Sequence, residues 1–187
     1  MEELINYLLQ FGHLSQEQIA MIQSKAKTKT IKKGEYFSQA GKIADKIGYI
    51  TEGVFRVCYY DKIGEGYTRY FVYENRFVAD INSFRDEVPS AEYIEAVTDC
   101  TLLVFSKNGF EDLANTITGW SDIFSKITSY VMENKMKASS NMLVQDAHTR
   151  YLHFLDHYPG LANRVPLSML ASYLGITASS LSRIRKK

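Results

Sequence analysis

The chain has 187 residues, with 22 Lys and Arg against 21 Asp and Glu, 45% hydrophobic and 13% aromatic. That is enough apolar material for a real core and fits a soluble globular protein of one domain or two small ones. No apolar run approaches the ~20 residues a membrane span needs, and the start Met1-Glu2-Glu3 is acidic where a secretory signal would be basic, so no membrane partner and a cytoplasmic location are expected.

Cys58 and Cys100, the two cysteines, lie in apolar or β-branched stretches and read as small buried thiols, which argues against a cysteine-held metal. The near-neutral balance hides an asymmetry. After Asp156 every charged residue is basic: Arg164, Arg183, Arg185, Lys186 and Lys187, a tail suited to a phosphate backbone.

Leu4, Ile5, Leu8 and Leu9, then a capping box at Ser15-Gln16-Glu17-Gln18 before Ile19, Met21 and Ile22, predict two short N-terminal helices. From Thr28 the pattern changes to short segments rich in Tyr, Phe, Val, Ile and Thr, punctuated by Lys33-Gly34, Ala40-Gly41, Glu52-Gly53 and Ile63-Gly64-Glu65-Gly66. This predicts an antiparallel β unit with a hairpin over 49–57, a strand over 67–72, and closing strands over 93–98 and 101–105. The stretch around Pro89 reads as a polar connection.

Near Asn108 the period becomes helical, with Phe110, Leu113, Ile117, Trp120, Ile123, Phe124, Ile127, Tyr130, Val131 and Asn134 in phase. A stripe this long needs a partner surface, and the same helix of a second subunit is the expected one. Trp120, Ile123, Ile127, Tyr130, Val131 and Asn134 are accordingly the expected homodimer interface.

A further helix over about 147–157 stops at Tyr158-Pro159-Gly160. Leu167, Leu170, Ala171 and Leu174 then mark a short amphipathic helix, Gly175 a tight turn, and Thr177 the cap of a second helix that buries Leu181 and Ile184. Its outward residues Ala178, Ser179, Ser180, Ser182 and Arg183 stand where a recognition helix meets DNA. Thr177, Ser179, Ser180, Ser182, Arg183, Arg185, Lys186 and Lys187 are the expected DNA contacts, with Arg183 the one able to bond guanine or phosphate bidentately.

Residues 171–177 followed by 181–186 resemble the helix-turn-helix of Crp/Fnr transcription regulators, particularly short Bacteroidetes-type members. Residues 30–37, Gly41, 49–56, 94–98 and 102–104 resemble the cyclic-nucleotide-binding-type β-roll of the same family, in the same order over essentially the whole chain. The resemblance implies an α+β protein: an antiparallel β-roll or jelly-roll sensor with N-terminal helices over 1–110, a long dimerisation helix over 111–145, and a C-terminal helix-turn-helix over 146–187. It implies double-stranded DNA and a second subunit as partners, RNA polymerase as a further one, and a small-molecule effector of unknown identity.

Two departures bear on function. Cyclic-nucleotide binders of this fold carry a Gly-Glu pair for the ribose and an Arg followed by Ser or Thr for the phosphate. The corresponding stretches here are Val78-Ala79-Asp80-Ile81 and Pro89-Ser90-Ala91-Glu92. The phosphate arginine is missing and Glu92 is acidic, so the expected effector pocket of Val78, Ala79, Asp80, Ser90 and Ala91 does not suit cyclic AMP in the usual way. The recognition helix keeps only the last arginine of the Arg-Glu-Thr-x-x-Arg pattern of better-known members, and 157–166 is too short for the extra hairpin of a winged domain.

His153 and His157 lie one helical turn apart but read as solvated helix-face residues, so neither metal nor cofactor is expected. Arg69, Arg76 and Arg85 flank the pocket and read as surface residues. The aromatic run from Tyr59 to Tyr73 reads as core. No phosphate-cradling Gly-rich loop, nucleophile elbow or His-Glu-x-x-His helix is present, and the β region has no histidine, which argues against an enzyme. The alternative is a β-roll ligand-binding or protein-interaction module whose C-terminal helices serve packing.

Overall fold

The computed structural model describes residues 1–186, without the side chain of Asn141. Two helices, α1 (Glu2–Leu9) and α2 (Gln16–Lys25), lead into β1 (Lys27–Ile31), β2 (Tyr36–Ser38), β3 (Lys46–Glu52), β4 (Val54–Tyr60), β5 (Gly66–Tyr73) and β6 (Phe77–Val78). Then follow α3 (Ile81–Asp86), β7 (Tyr93–Ala96), β8 (Cys100–Ser106), α4 (Lys107–Thr116), α5 (Trp120–Val144), α6 (Ala147–His157), a 3₁₀ turn (Leu161–Asn163), α7 (Leu167–Leu174) and α8 (Ala178–Ile184). The capping box at α2 forms as expected: Gln18 N–H donates to Ser15 Oγ, and Ser15 N–H to Gln18 Oε1.

The strands make two four-stranded antiparallel sheets, ordered β1-β8-β3-β6 and β2-β7-β4-β5. Phe37, Ile50, Phe55, Val57, Ile94 and Leu102 interdigitate between them. One expectation is overturned here. Residues 49–57 are not a hairpin, because β3 pairs with β6 and β8 whereas β4 pairs with β5 and β7. Gly53 between them has φ +105°, and a Cβ there would stand 2.5 Å from Cys100 Sγ and 2.6 Å from the Asp99 carbonyl. The glycine lets the chain turn a corner from one sheet into the other instead of doubling back.

Each sheet has a helical layer on its outer face. On the first, α1, α2, α4 and the start of α5 bury Leu4, Leu8, Ile22, Leu113, Trp120 and Ile123 against Tyr49, Leu103 and Phe105. On the second, α6, the 3₁₀ turn, α7 and α8 bury Phe154, Leu161, Leu170, Leu174 and Leu181 against Val54, Phe71 and Val97. The stretch before Pro89, read as a loop, contains α3. Asp80 nucleates it by accepting a hydrogen bond from Ser83 N–H, and Glu87 ends it in the left-handed region at φ 54°.

Candidate nucleic-acid interface and effector pocket

Gly175, at φ 67°, ends α7 in the left-handed conformation and turns the chain toward α8. Thr177 then caps α8, its Oγ1 accepting from Ser180 N–H at 3.1 Å. Leu181 anchors the pair by facing inward, fully buried. The remaining turns of α8 face water: Thr177, Ser179, Arg183, Arg185 and Lys186 are exposed, and Ser180 and Ser182 partly so. The hydroxyls of Thr177, Ser179 and Ser180 form a chain of contacts of 2.9 to 3.0 Å, and Arg183 Nη2 reaches Ser180 Oγ at 3.4 Å. Seven of the eight expected DNA contacts thus share one short element and its tail; Lys187 lies outside the described residues.

The helical pair is seated on the β-roll by contacts that sequence reasoning missed. β5 is an edge strand, and Ser172 of α7 supplies what a neighbouring strand would: its Oγ accepts from Thr68 N–H at 2.9 Å and donates to the Gly66 carbonyl at 3.4 Å. Arg164 grips Glu74 with both terminal nitrogens, at 2.9 and 2.5 Å, and Glu74 also accepts from Gly53 N–H. Burial opposes ionisation of Glu74, but Arg164 and these backbone donors prevail and hold its carboxyl below the usual range. On the same face of β4 as Val54, Arg56 and Glu95 form a buried ion pair, Nε to Oε2 at 2.7 Å, with Tyr60 OH donating to the same oxygen. No local pattern marks these partners, which lie 21 to 106 residues apart.

The expected effector pocket is occupied by its own side chains. Val78 is buried between the sheets, Ala79 and Asp80 are half-buried, and Ala91 is exposed. Asp80 serves as the α3 cap with one oxygen and accepts from the Ser90 hydroxyl at 2.7 Å with the other. The Ser90 backbone is bonded both ways to the Gly41-Lys42 turn. Glu92 accepts from Tyr59 OH at 2.5 Å and from Arg69, which is thereby neutralised. From α5, Lys135 places its ammonium 3.9 Å from the centre of the Tyr70 ring. Desolvation there pulls its pKa down to about 8, against the opposing pull of Glu92 and Asp80. Arg76 stacks on Tyr73 and Arg85 pairs with Asp86, so neither is an open anion receptor.

The dimer stripe divides in two. Trp120, Ile123 and Ile127 are buried within the subunit, where a Cβ on Gly12 would stand 2.5 Å from Ile123 Cγ1. They are therefore unavailable to a partner, because α1, α2 and α4 already cover them. Further along α5, Tyr130 is exposed and Val131 and Asn134 partly so, while Met132, Met136 and Leu143 lie open at 52%, 67% and 87%. No group of three or more His, Cys, Asp and Glu among the described residues is arranged to hold a metal ion. No helix among them is long and apolar enough to cross a membrane.

Residues 28–116 match the family of cyclic nucleotide-binding domains. No curated protein sequence matches the chain. Its fold is similar to FixK2 from Bradyrhizobium japonicum, with TM-score 0.73 and 15% identity over 86% of this chain and 83% of that one. It is also similar to the c-di-GMP responsive global regulator CLP from Xanthomonas campestris, with TM-score 0.71 and 15% identity over 92% and 90%. A chain of Eubacterium rectale assigned to the Crp/Fnr family superposes with TM-score 0.70 and 14% identity over 92% and 82%. Residues 28–116 are thus a cyclic nucleotide-binding-type domain, and the chain carries the fold of Crp/Fnr transcription regulators.

Proposed function

We propose that this protein is a cytoplasmic, homodimeric, DNA-binding transcription regulator without catalytic activity, in which α7, the Gly175 turn and α8 form a helix-turn-helix. The observation that carries this reading is the exposed side of α8: Thr177, Ser179, Arg183, Arg185 and Lys186 project from a helix anchored by Leu181, and the charged residues after Asp156 are all basic. The second half of α5 supplies the dimer contact through Met132, Met136 and Leu143, which share one face of the helix at spacings of four and seven residues, while Tyr130, Val131 and Asn134 lie round the other side. A dimer of this kind sets two recognition helices about 34 Å apart, one turn of DNA. RNA polymerase is the expected further partner at a promoter.

The β-roll is not a cyclic AMP receptor of the usual kind. Ser90 and Asp80 are bonded to each other, Glu92 stands where positive charge is wanted, and Lys135 rests on Tyr70. A second reading, a β-roll interaction module with packing helices, draws on the seat of α7 against β5.

Selection of bound duplexes from a random pool separates the two. The regulator yields an enriched near-palindrome, and Arg183→Ala weakens its binding about five- to 150-fold, the roughly 1 to 3 kcal/mol of one bidentate base contact. Salt-sensitive binding without enrichment would instead favour the module.

A further inference from the structure

Where α5 crosses the roll, the half-buried Lys135 turns its side chain onto the Tyr70 ring. Among the described residues its nitrogen makes no hydrogen bond and no ion pair. It keeps contact with water, because the partnerless side-chain atoms sealed from solvent are Trp120 Nε1, Gln145 Oε1 and Arg150 Nε. The surrounding carboxylates are already engaged. Glu92 accepts from Arg69 and Tyr59, Asp80 from Ser83 N–H and the Ser90 hydroxyl, and Glu133 on α5 itself pairs with Lys137. A second cation also shares the ring: Arg69 Cζ lies 5.8 Å from the Tyr70 centroid and Lys135 Nζ 3.9 Å from it.

This placement works against the charged form. An ammonium here has lost much of its water, faces Arg69 across one ring, and has no carboxylate to itself. The lowered pKa of about 8 agrees with that geometry. At pH 7 about a tenth of such amines are neutral, against under one in a thousand for an ordinary lysine. A neutral amine with an unengaged lone pair and contact with solvent is a nucleophile toward carbonyl carbon. The surroundings also select the electrophile. An anionic acyl donor, or the anionic carbamate formed from carbon dioxide, would face Glu92 and Asp80, whereas a neutral aldehyde meets no opposing charge and gives a flat product that can lie along the Tyr70 ring.

We infer that Lys135 is a covalent capture site for small neutral aldehydes, its amine condensing with the carbonyl to an imine held over Tyr70. The nitrogen forms the N–C bond, and the carbonyl π pair moves to oxygen, which takes up the proton that nitrogen loses. The carbinolamine then sheds its hydroxyl with the second N–H proton as water, leaving N=C, with no oxidant or reductant consumed. Because Lys135 stands between α5 and β5, the adduct acts on the contact that seats the long helix on the roll. Capture is independent of whether α8 reads DNA, and its test needs no DNA.

Benzaldehyde with cyanoborohydride, which reduces the imine to a stable benzylamine, is the probe, and peptide mass spectrometry of the full folded chain reads each lysine. At pH 7 Lys135 should be labelled at least tenfold faster than Lys137 on the same helix, and this ratio should shrink toward one by pH 10. Taking the ratio at each pH cancels the pH dependence of the reductant. Acetyl phosphate, an anionic acyl donor, should show no such preference. Glu92→Gln removes a carboxylate that favours the ammonium, so it should raise the Lys135 to Lys137 ratio at pH 7 severalfold. Equal labelling of the two lysines at pH 7, a ratio constant up to pH 10, a preference shown by acetyl phosphate in place of benzaldehyde, or a ratio lowered by Glu92→Gln would each overturn the inference.

Discussion

The first sheet of the β-roll is covered by α1, α2, α4 and the start of α5, and the contact is hydrocarbon almost throughout, from Leu4 and Leu8 to Trp120 and Ile123. The second is covered by α6 to α8. There Phe71 and Leu170 share the contact with the Glu74–Arg164 clamp and the Ser172 hydroxyl on the edge of β5, and the sheet beneath carries the buried Arg56–Glu95 pair. Apolar burial is strong and non-directional, so the first layer is simply part of the core. Ion pairs and hydrogen bonds add little net stability but demand one geometry, so the second layer is held in a defined pose by contacts that can be broken singly. The layer that carries α8 is the one with an orientation to keep.

The largest effect should come from the apolar side. Leu8→Ala removes a fully buried side chain and should cost about 4 kcal/mol in denaturant unfolding, lowering protection from hydrogen exchange throughout the roll. A loss under about 1 kcal/mol, within the range of ordinary surface changes, would place α1 outside the core and erase the contrast.

Glu95→Gln tests the polar side, because it leaves the Arg56 guanidinium buried without its counter-charge, at a cost of about 3 kcal/mol. Hydrogen exchange should rise first in β4, β5 and α7, with β1 and β8 still protected. Uniform loss of protection would show that the two layers unfold as one.

The smallest change should be a gain. Lys135 has its pKa lowered from 10.5 to about 8 in the fold, so holding it charged costs stability at every pH below about 8, and the cost fades as pH rises toward 10.5. Lys135→Met should therefore stabilise the protein at pH 7 by about 2 kcal/mol, less whatever the contact with Tyr70 returns, and by much less at pH 9.5. Equal stabilisation at both pH values would locate the effect in packing instead of charge.

Much of this was readable beforehand where neighbours in sequence decide the outcome. The Ser15 and Thr177 caps and the left-handed Gly175 depend on groups a few residues apart, and they stand where expected. Of the site, the exposed face of α8 was legible because helical period and a run of basic residues suffice to define it. The pocket was legible only as a set of missing residues. That Ser90 would bond Asp80, or that Lys135 would arrive from 65 residues downstream to cover Tyr70, depends on how α5 is laid across the roll.

By itself the sequence determined the kinds of element, their order, the β-roll followed by helices, and the basic tail, since periodicity, caps and turn residues act over one or two turns of chain. Tertiary structure decided who pairs with whom. Gly53 sends β3 and β4 into different sheets, and the α5 stripe from Trp120 to Ile127 is spent within the subunit. Ser172, Glu74 and Arg164 likewise become a seat for the C-terminal helices. An apolar stripe or an ionic side chain states what it must bury or neutralise, and only the packed fold says which surface or charge meets it.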